Sequence, residues 1–236
     1  MSAVIKTTGL TAGYGGTAVL DKLDLEVGAG EVVSLLGPNG AGKTTTLLAI
    51  SGILPPIAGK VEVLGEPVSS NEPHVNARRG LAHVPEDRAL FFSLSVRENI
   101  RLGQRPGGPS FDELMEYFPA LANRVSQRSG LLSGGEQQML ALARALAGGP
   151  RALMIDEMSL GLAPVIVENL LPVVRQIARE QEVGVLLVEQ HVHLALGISD
   201  RGYVLRQGEL IAEGTAAELQ ESRQLLEEGY LGELAV

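Results

Sequence analysis

Three stretches of the chain are apolar almost without interruption, and each is short. Residues 31–36 (EVVSLL), 151–156 (RALMID) and 183–189 (VGVLLVE) have the length of strands but lack the alternation of a half-exposed one. Such runs are expected of central parallel strands covered on both faces. The segment TTTLLAISG after the first run reads as a helix. Between the second and third, APVIVENLLPVVRQIARE reads as a helix opened by Pro164. Pro172 within it predicts a kink or a division, because proline lacks the N–H and its ring clashes with the preceding turn.

Elsewhere the pattern changes. VIKTTGL, LDLEV and KVEVLG near the start predict antiparallel strands, and YVLRQGELIAEG near the end predicts a hairpin turning at Gln207 and Gly208. Residues 85–146 are helical and loop-rich, with a break at RPGGPS, 105–110. In QMLALARALAGG, Met139, Leu140, Leu142, Ala143 and Leu146 recur at helical spacing, and Ser133 with Glu136 forms an S-x-x-E capping box in front of them. Together these elements predict an α/β fold: one domain over 1–236 with a mainly parallel central sheet, an antiparallel β subdomain and an inserted α-helical subdomain. The core falls at 1–84 and 147–236 and the insertion at about 85–146.

Composition narrows the class. The chain has 236 residues, 45% of them hydrophobic and 20% charged, enough to bury a full core. A net charge of -9 argues against nucleic acid as a partner, because phosphate backbones are held by clustered Lys and Arg. With no cysteine there is no disulfide, thiolate metal site or thiol nucleophile, as fits a reducing compartment. MSAVIKTTGL lacks the apolar region of a secretory signal, and no run approaches the ~18 to 20 apolar residues of a membrane span.

The chemistry is carried by GPNGAGKT, residues 37–44, which satisfies G-x-x-x-x-G-K-[ST] after a predicted strand and before a predicted helix. Gly37, Pro38, Asn39, Gly40, Ala41 and Gly42 form a loop whose bare N–H groups suit a β-phosphate. Lys43 can reach the β and γ oxygens, the Thr44 hydroxyl can ligate Mg²⁺, and Thr45 completes the first turn. ALMIDE supplies the second half: Asp156 is the candidate partner of Thr44 at Mg²⁺, and Glu157 the candidate general base or water-orienting group. No N-K-x-D motif is present to read guanine, and Tyr14 either stacks on adenine or packs internally. In LSGGEQ the capping box explains Ser133 and Glu136. Gly134 and Gly135 cost up to about 1 kcal/mol each relative to alanine in a helix, so an open face for a phosphate is expected there.

GPNGAGKT, LSGGEQ and LMIDE, in that order and separated by a helical segment, resemble the ATP-binding cassette of ABC transporters over essentially the whole chain. The resemblance implies an ATPase that uses ATP and Mg²⁺ and pairs head to tail with a second cassette, as a homodimer or a heterodimer. Ser133, Gly134, Gly135 and Glu136 would then complete the partner's nucleotide site. It also implies transmembrane permease subunits, an external solute-binding protein and a place on the cytoplasmic face of the membrane. HVPEDRALFFSLSVRENI, SGGEQQMLALARAL, DEMSLGLAPVIVENL and VEQHVHLALGISDRGYVL are similar to the smaller ATP-binding subunit of bacterial importers for branched-chain amino acids. Cassettes for urea or amides are close alternatives.

The chain departs from the family pattern in several places. Glu86 stands where a glutamine is usual, a carboxylate able to join the metal and water network but unable to donate. Met158 replaces the proline after the base, and Ala163 an aspartate expected at the dimer contact. The switch position falls on Gln190, with His191 one residue later as the lesser candidate; glutamine can bond a γ-phosphate oxygen but carries no proton. Phe91 and Phe92 either anchor a permease helix or pack within the insertion. A rival reading is a soluble ABC-type ATPase for DNA repair, translation or cluster assembly. It lacks the long coiled-coil insertion or second cassette usual in repair and translation proteins.

Overall fold

In the computed structural model, which describes residues 3–222, the three apolar runs are β3 (Val32–Leu36), β7 (Ala152–Asp156) and β8 (Gly184–Glu189). Every residue of the three is buried, because their alternating side chains enter two different cores. Val32, Leu36, Leu153, Ile155, Val185 and Leu187 point into one cluster, and Val33, Leu35, Met154, Leu186 and Val188 into the other. A strand between two cores loses its polar face, and with it the alternation.

These strands are joined in parallel by β6 (Leu81–Val84) and β9 (Arg201–Arg206), while β10 (Glu209–Thr215) closes one edge antiparallel to β9. The order is β10-β9-β3-β8-β7-β6. The hairpin between β9 and β10 turns at Gln207 and Gly208, as the pattern predicts, and both of its strands belong to the central sheet. A separate antiparallel sheet, β2-β1-β4-β5, comprises β1 (Ala3–Tyr14), β2 (Thr17–Gly28), β4 (Ala58–Val63) and β5 (Glu66–Pro67). It covers one core together with α1 (Lys43–Ser51), whose Leu47, Ala49 and Ile50 are buried there.

The other core is covered by α6 (Gly134–Leu146), α7 (Pro164–Glu180) and the helices of the 85–146 segment. These last are α3 (Val96–Gly103), α4 (Phe111–Tyr117) and α5 (Pro119–Ala122), after α2 (Pro73–Arg79), which the sequence pattern did not predict. Two short helices, α8 (Val192–Leu196) and α9 (Ala216–Glu221), follow β8 and β10. The extreme ends of the expected 1–236 domain lie outside the described residues.

Of the two outcomes expected at Pro172, division does not occur. Helix α7 runs undivided through it for 17 residues. An interior proline costs about 3 kcal/mol, but Val167, Leu170, Leu171, Val174, Ile177 and Ala178 are buried along one face. At ~1.5 to 3 kcal/mol for each larger apolar side chain, burial outweighs one lost hydrogen bond. Pro172 itself faces solvent, where a displaced carbonyl can bond water.

Candidate functional site

Residues 37–42 leave β3 at its C-terminal end, the usual place for ligands in an open parallel sheet. Gly42 has φ of +103°, and a Cβ there would lie 2.5 Å from Leu20 Cδ2, so no other residue fits without a shift. It caps α1 with bare backbone and leaves the first-turn N–H groups accessible to an anion. Lys43, the first residue of α1, is only 4% exposed: its Nζ donates to the carbonyls of Gly37 at 2.8 Å and Pro38 at 3.0 Å. The same ammonium lies 3.5 Å from Glu157 Oε1. Pro38 is half-buried, Asn39 and Gly40 are exposed, and Ala41 and Thr45 are buried beneath the loop.

Asp156 ends β7 opposite this loop. Its Oδ2 accepts from the Thr44 hydroxyl at 3.3 Å, whereas its Oδ1 is buried with no hydrogen-bond partner. Burial pushes the carboxyl up to about 6, the Thr44 bond and Lys43 opposing and the charges of Glu157 and Glu86 adding to the rise. A lone buried carboxylate oxygen beside a hydroxyl suits a small hard cation. Among the described residues no group of three or more His, Asp or Glu forms a metal cage. Mg²⁺ needs none, since it takes one or two protein oxygens and keeps the rest for water and phosphate.

Glu157 follows with φ of +44°, a left-handed conformation costing on the order of 1 to 2 kcal/mol for a side chain with Cβ. The backbone is held there by its N–H, which donates to Val188 O at 3.0 Å on β8. Its carboxylate sits between two donors: Lys43, and the Gln190 amide, which donates to Oε2 at 2.7 Å. Thus β3, α1, β7 and β8 bring residues 37–45, Asp156, Glu157 and Gln190 into one cluster.

Other expected residues stand differently. His191 is exposed at the N-cap of α8 and makes no side-chain cap bond, so Gln190 occupies the position beside Glu157. Glu86 is exposed just past β6, near enough for its charge to act on Asp156. Tyr14 is 53% exposed at the β1–β2 hairpin, which rules out internal packing. Phe91 and Phe92 are 54% and 55% exposed, with the Arg144 guanidinium 5.8 Å from the Phe91 ring centre.

Ser133 and Glu136 form the predicted capping box: the Glu136 N–H donates to Ser133 Oγ at 3.3 Å and the Ser133 N–H to Glu136 Oε2 at 2.8 Å. These bonds and Arg124, 3.0 Å from Oε1, hold the Glu136 carboxyl below its usual range. None of the hydrogen bonds of Ser133 or Glu136 goes to Lys43, Asp156, Glu157 or Gln190. The glycines have a reason inside the chain that the sequence reading missed. A Cβ on Gly135 would lie 2.8 Å from Ile166 Cγ2, and one on Gly134 3.3 Å from Leu162 Cδ2. The turn is bare partly because the first turn of α7 and the loop before it pack against it.

Further residues escaped the sequence reading. Glu189, fully buried at the end of β8, accepts from the Ser159 N–H at 2.9 Å and its hydroxyl at 2.6 Å, and burial pushes its carboxyl up. The one signal was an acid closing an apolar run. Arg88 donates to Gln138 at 2.9 Å and Gln137 at 3.1 Å, and Arg144 to the Ala89 and Arg88 carbonyls, tying the Glu86 loop to α6. Buried Asn99 accepts from the Phe91 N–H and donates to its carbonyl, fixing the loop that presents the phenylalanines. Spacing alone does not reveal such partners.

Comparison with known proteins bears on this geometry. Residues 20–159 match the ABC transporter family. The chain is 39% identical to the high-affinity branched-chain amino acid transport ATP-binding protein BraG of Pseudomonas aeruginosa, over 93% of this chain and 95% of that protein. It is 35% identical to the lipopolysaccharide export system ATP-binding protein LptB of Escherichia coli, over 98% of each. Among solved structures, the ADP conformation of an ATP-binding cassette of an ABC transporter superposes with a TM-score of 0.86 at 23% identity, over 99% of this chain and 100% of that one, a likeness of fold.

Proposed function

The chain belongs to the ABC transporter family, and on that premise we propose that it is the ATP-hydrolysing subunit of an importer, with branched-chain amino acids as the transported class. The observation that carries the hydrolytic part is the Glu157 carboxylate held between Lys43 at 3.5 Å and Gln190 at 2.7 Å, next to the phosphate loop.

The roles follow from the donors. Backbone N–H groups of 37–45 and the N-terminus of α1 bind the phosphates, and Lys43 moves its ammonium from the Gly37 and Pro38 carbonyls to the β and γ oxygens. Mg²⁺ fits at Thr44 and Asp156, with Glu86 nearby, and when bound supplies charge neutralisation at the β and γ oxygens. Glu157 orients the attacking water and takes its proton. Gln190 fixes that carboxylate and, having no proton to transfer, acts by position. Tyr14 offers its exposed ring to adenine.

The signature turn serves a second subunit in this reading. Ser133, Gly134 and Gly135 present a helix N-terminus that none of this chain's own site residues bonds, so a neighbour's γ-phosphate can approach it across a head-to-tail dimer. Closing that dimer on ATP and reopening it on hydrolysis moves the permease, to which the chain attaches at the cytoplasmic face. Among the described residues no helix is long and apolar enough to cross a membrane.

The transported class rests on the likeness to BraG, while that to LptB favours a second reading, an export cassette. Purification from native membranes with the subunits identified, followed by uptake of labelled leucine, separates them. Permease subunits that co-purify and ATP-dependent leucine uptake support import. A complex that extracts lipid, or a chain recovered without any permease, contradicts it.

A further inference from the structure

Glu189 is the buried charge that the hydrolytic scheme leaves unused. It is 1% exposed, at the last position of β8, and both carboxylate oxygens are spent on one residue: Oε1 accepts the Ser159 backbone N–H at 2.9 Å and Oε2 its hydroxyl at 2.6 Å. Two residues earlier in that loop, the Glu157 N–H donates to the carbonyl of Val188, the neighbour of Glu189. The next residue along, Gln190, donates to the Glu157 side chain. Three successive residues of β8 and its exit thus grip the 157–159 segment at its start, its end and its functional carboxylate.

We propose that Glu189 is a positioning residue for hydrolysis, whose two-point hold on Ser159 keeps Glu157 in its left-handed backbone with its carboxylate facing Lys43 and Gln190. The inference rests on the ATPase reading given above. A left-handed glutamate relaxes unless both flanks are fixed, and Met158, buried between them, supplies packing but no direction. An apolar residue at 189 would avoid the desolvation of a buried carboxylate and fill the same space. What it would lose is the fixed direction of two charge-assisted bonds. A general base displaced by about 1 Å can lose on the order of a hundredfold in rate. ATP binding depends on residues 37–45, whereas both side-chain oxygens of Glu189 accept from Ser159.

The test uses the full chain, in its transporter complex or alone, with Glu189→Leu, Glu189→Gln and Ser159→Ala. Leucine keeps the volume, whereas glutamine keeps an acceptor for the Ser159 N–H and adds an N–H that can donate to the hydroxyl oxygen. The expected result for Glu189→Leu is a fall in kcat of about tenfold or more, with KM for ATP and nucleotide binding within about twofold. Glu189→Gln should recover most of the rate. Ser159→Ala added to Glu189→Leu should cost little more, because both remove one contact. Amide hydrogen exchange at Glu157 and Ser159 should quicken in the leucine variant and not in the glutamine one. A folded Glu189→Leu with unchanged kcat, or a glutamine variant as slow as leucine, overturns the role. If the unsubstituted chain hydrolyses no ATP, the ATPase reading fails instead, and the exchange comparison alone decides whether Glu189 holds the loop.

Discussion

The side-chain amide of Gln190 donates to the Glu157 carboxylate at 2.7 Å, while His191 next to it is exposed. A glutamine there can hold the base but cannot relay its proton. Gln190→Ala should therefore lower kcat by about tenfold or more through loss of orientation, with ATP binding retained. His191→Ala should change it by less than about twofold. Steady-state ATPase assays of the two variants check this, and a larger loss from His191→Ala would reverse the assignment.

Phe91 and Phe92 are exposed on a loop that buried Asn99 fixes by accepting from the Phe91 N–H and donating to the Phe91 carbonyl, so they form a preorganised apolar pair. Truncating an aromatic anchor typically costs about 2 kcal/mol or more of binding. Phe92→Ala should leave basal ATPase near the parent value and weaken permease binding by roughly thirtyfold or more. Quantified co-purification reads it directly, and undiminished recovery would show that the pair serves another surface.

His83, on β6, has an Nε2 that is buried without a partner. Burial holds the ring down from 6.5 to about 4, the charge of Asp87 opposing. A histidine whose folded pKa is depressed favours the fold only while neutral, so stability is full above about pH 6.5 and falls as pH drops toward 4. By pH 4.5 the loss is about 2 to 3 kcal/mol. His83→Gln should flatten the dependence of unfolding free energy on pH over that range. Parallel curves for the two proteins would assign acid sensitivity to other groups.

Ala163 sits at the N-cap of α7 in an extended conformation and makes no side-chain cap bond. The aspartate usual in the family is absent, so no N-cap side chain accepts from the first turn, where the Ile166 N–H bonds the Ala163 carbonyl at 2.9 Å. Ala163→Asp should stabilise the chain by about 1 kcal/mol, a rise in Tm of roughly 2 to 4 °C. Calorimetry on the monomer checks it; an unchanged or lowered Tm would mean that the loop before α7 cannot orient a cap.

Local chemistry was readable in the sequence wherever neighbours along the chain decide it. The loop 37–44, the Ser133–Glu136 capping box and the strand ending in Asp156 depend on such neighbours, and they form as predicted. What distance decides was not readable. Pro172 predicts a kink or a division because its cost is local, whereas the burial that keeps the helix continuous comes from the facing core. The packing of Gly134 and Gly135 was not readable either, since Leu162 and Ile166 approach them from the loop before α7 and its first turn. Glu189 was read as the end of a strand, since its partner Ser159 lies thirty residues back along the chain.

In the proposed scheme Glu157 drives hydrolysis while residues 37–45 bind the phosphates, Lys43 among them lying 3.5 Å from the Glu157 carboxylate. Glu157→Gln keeps the side-chain shape and removes the base, so single-turnover ATP hydrolysis and ATP binding measured on the same preparation test it most directly. Binding should persist within a few-fold, turnover should fall by about a hundredfold or more, and ATP should trap the closed dimer on gel filtration. Hydrolysis at the parent rate in that variant would contradict the assignment.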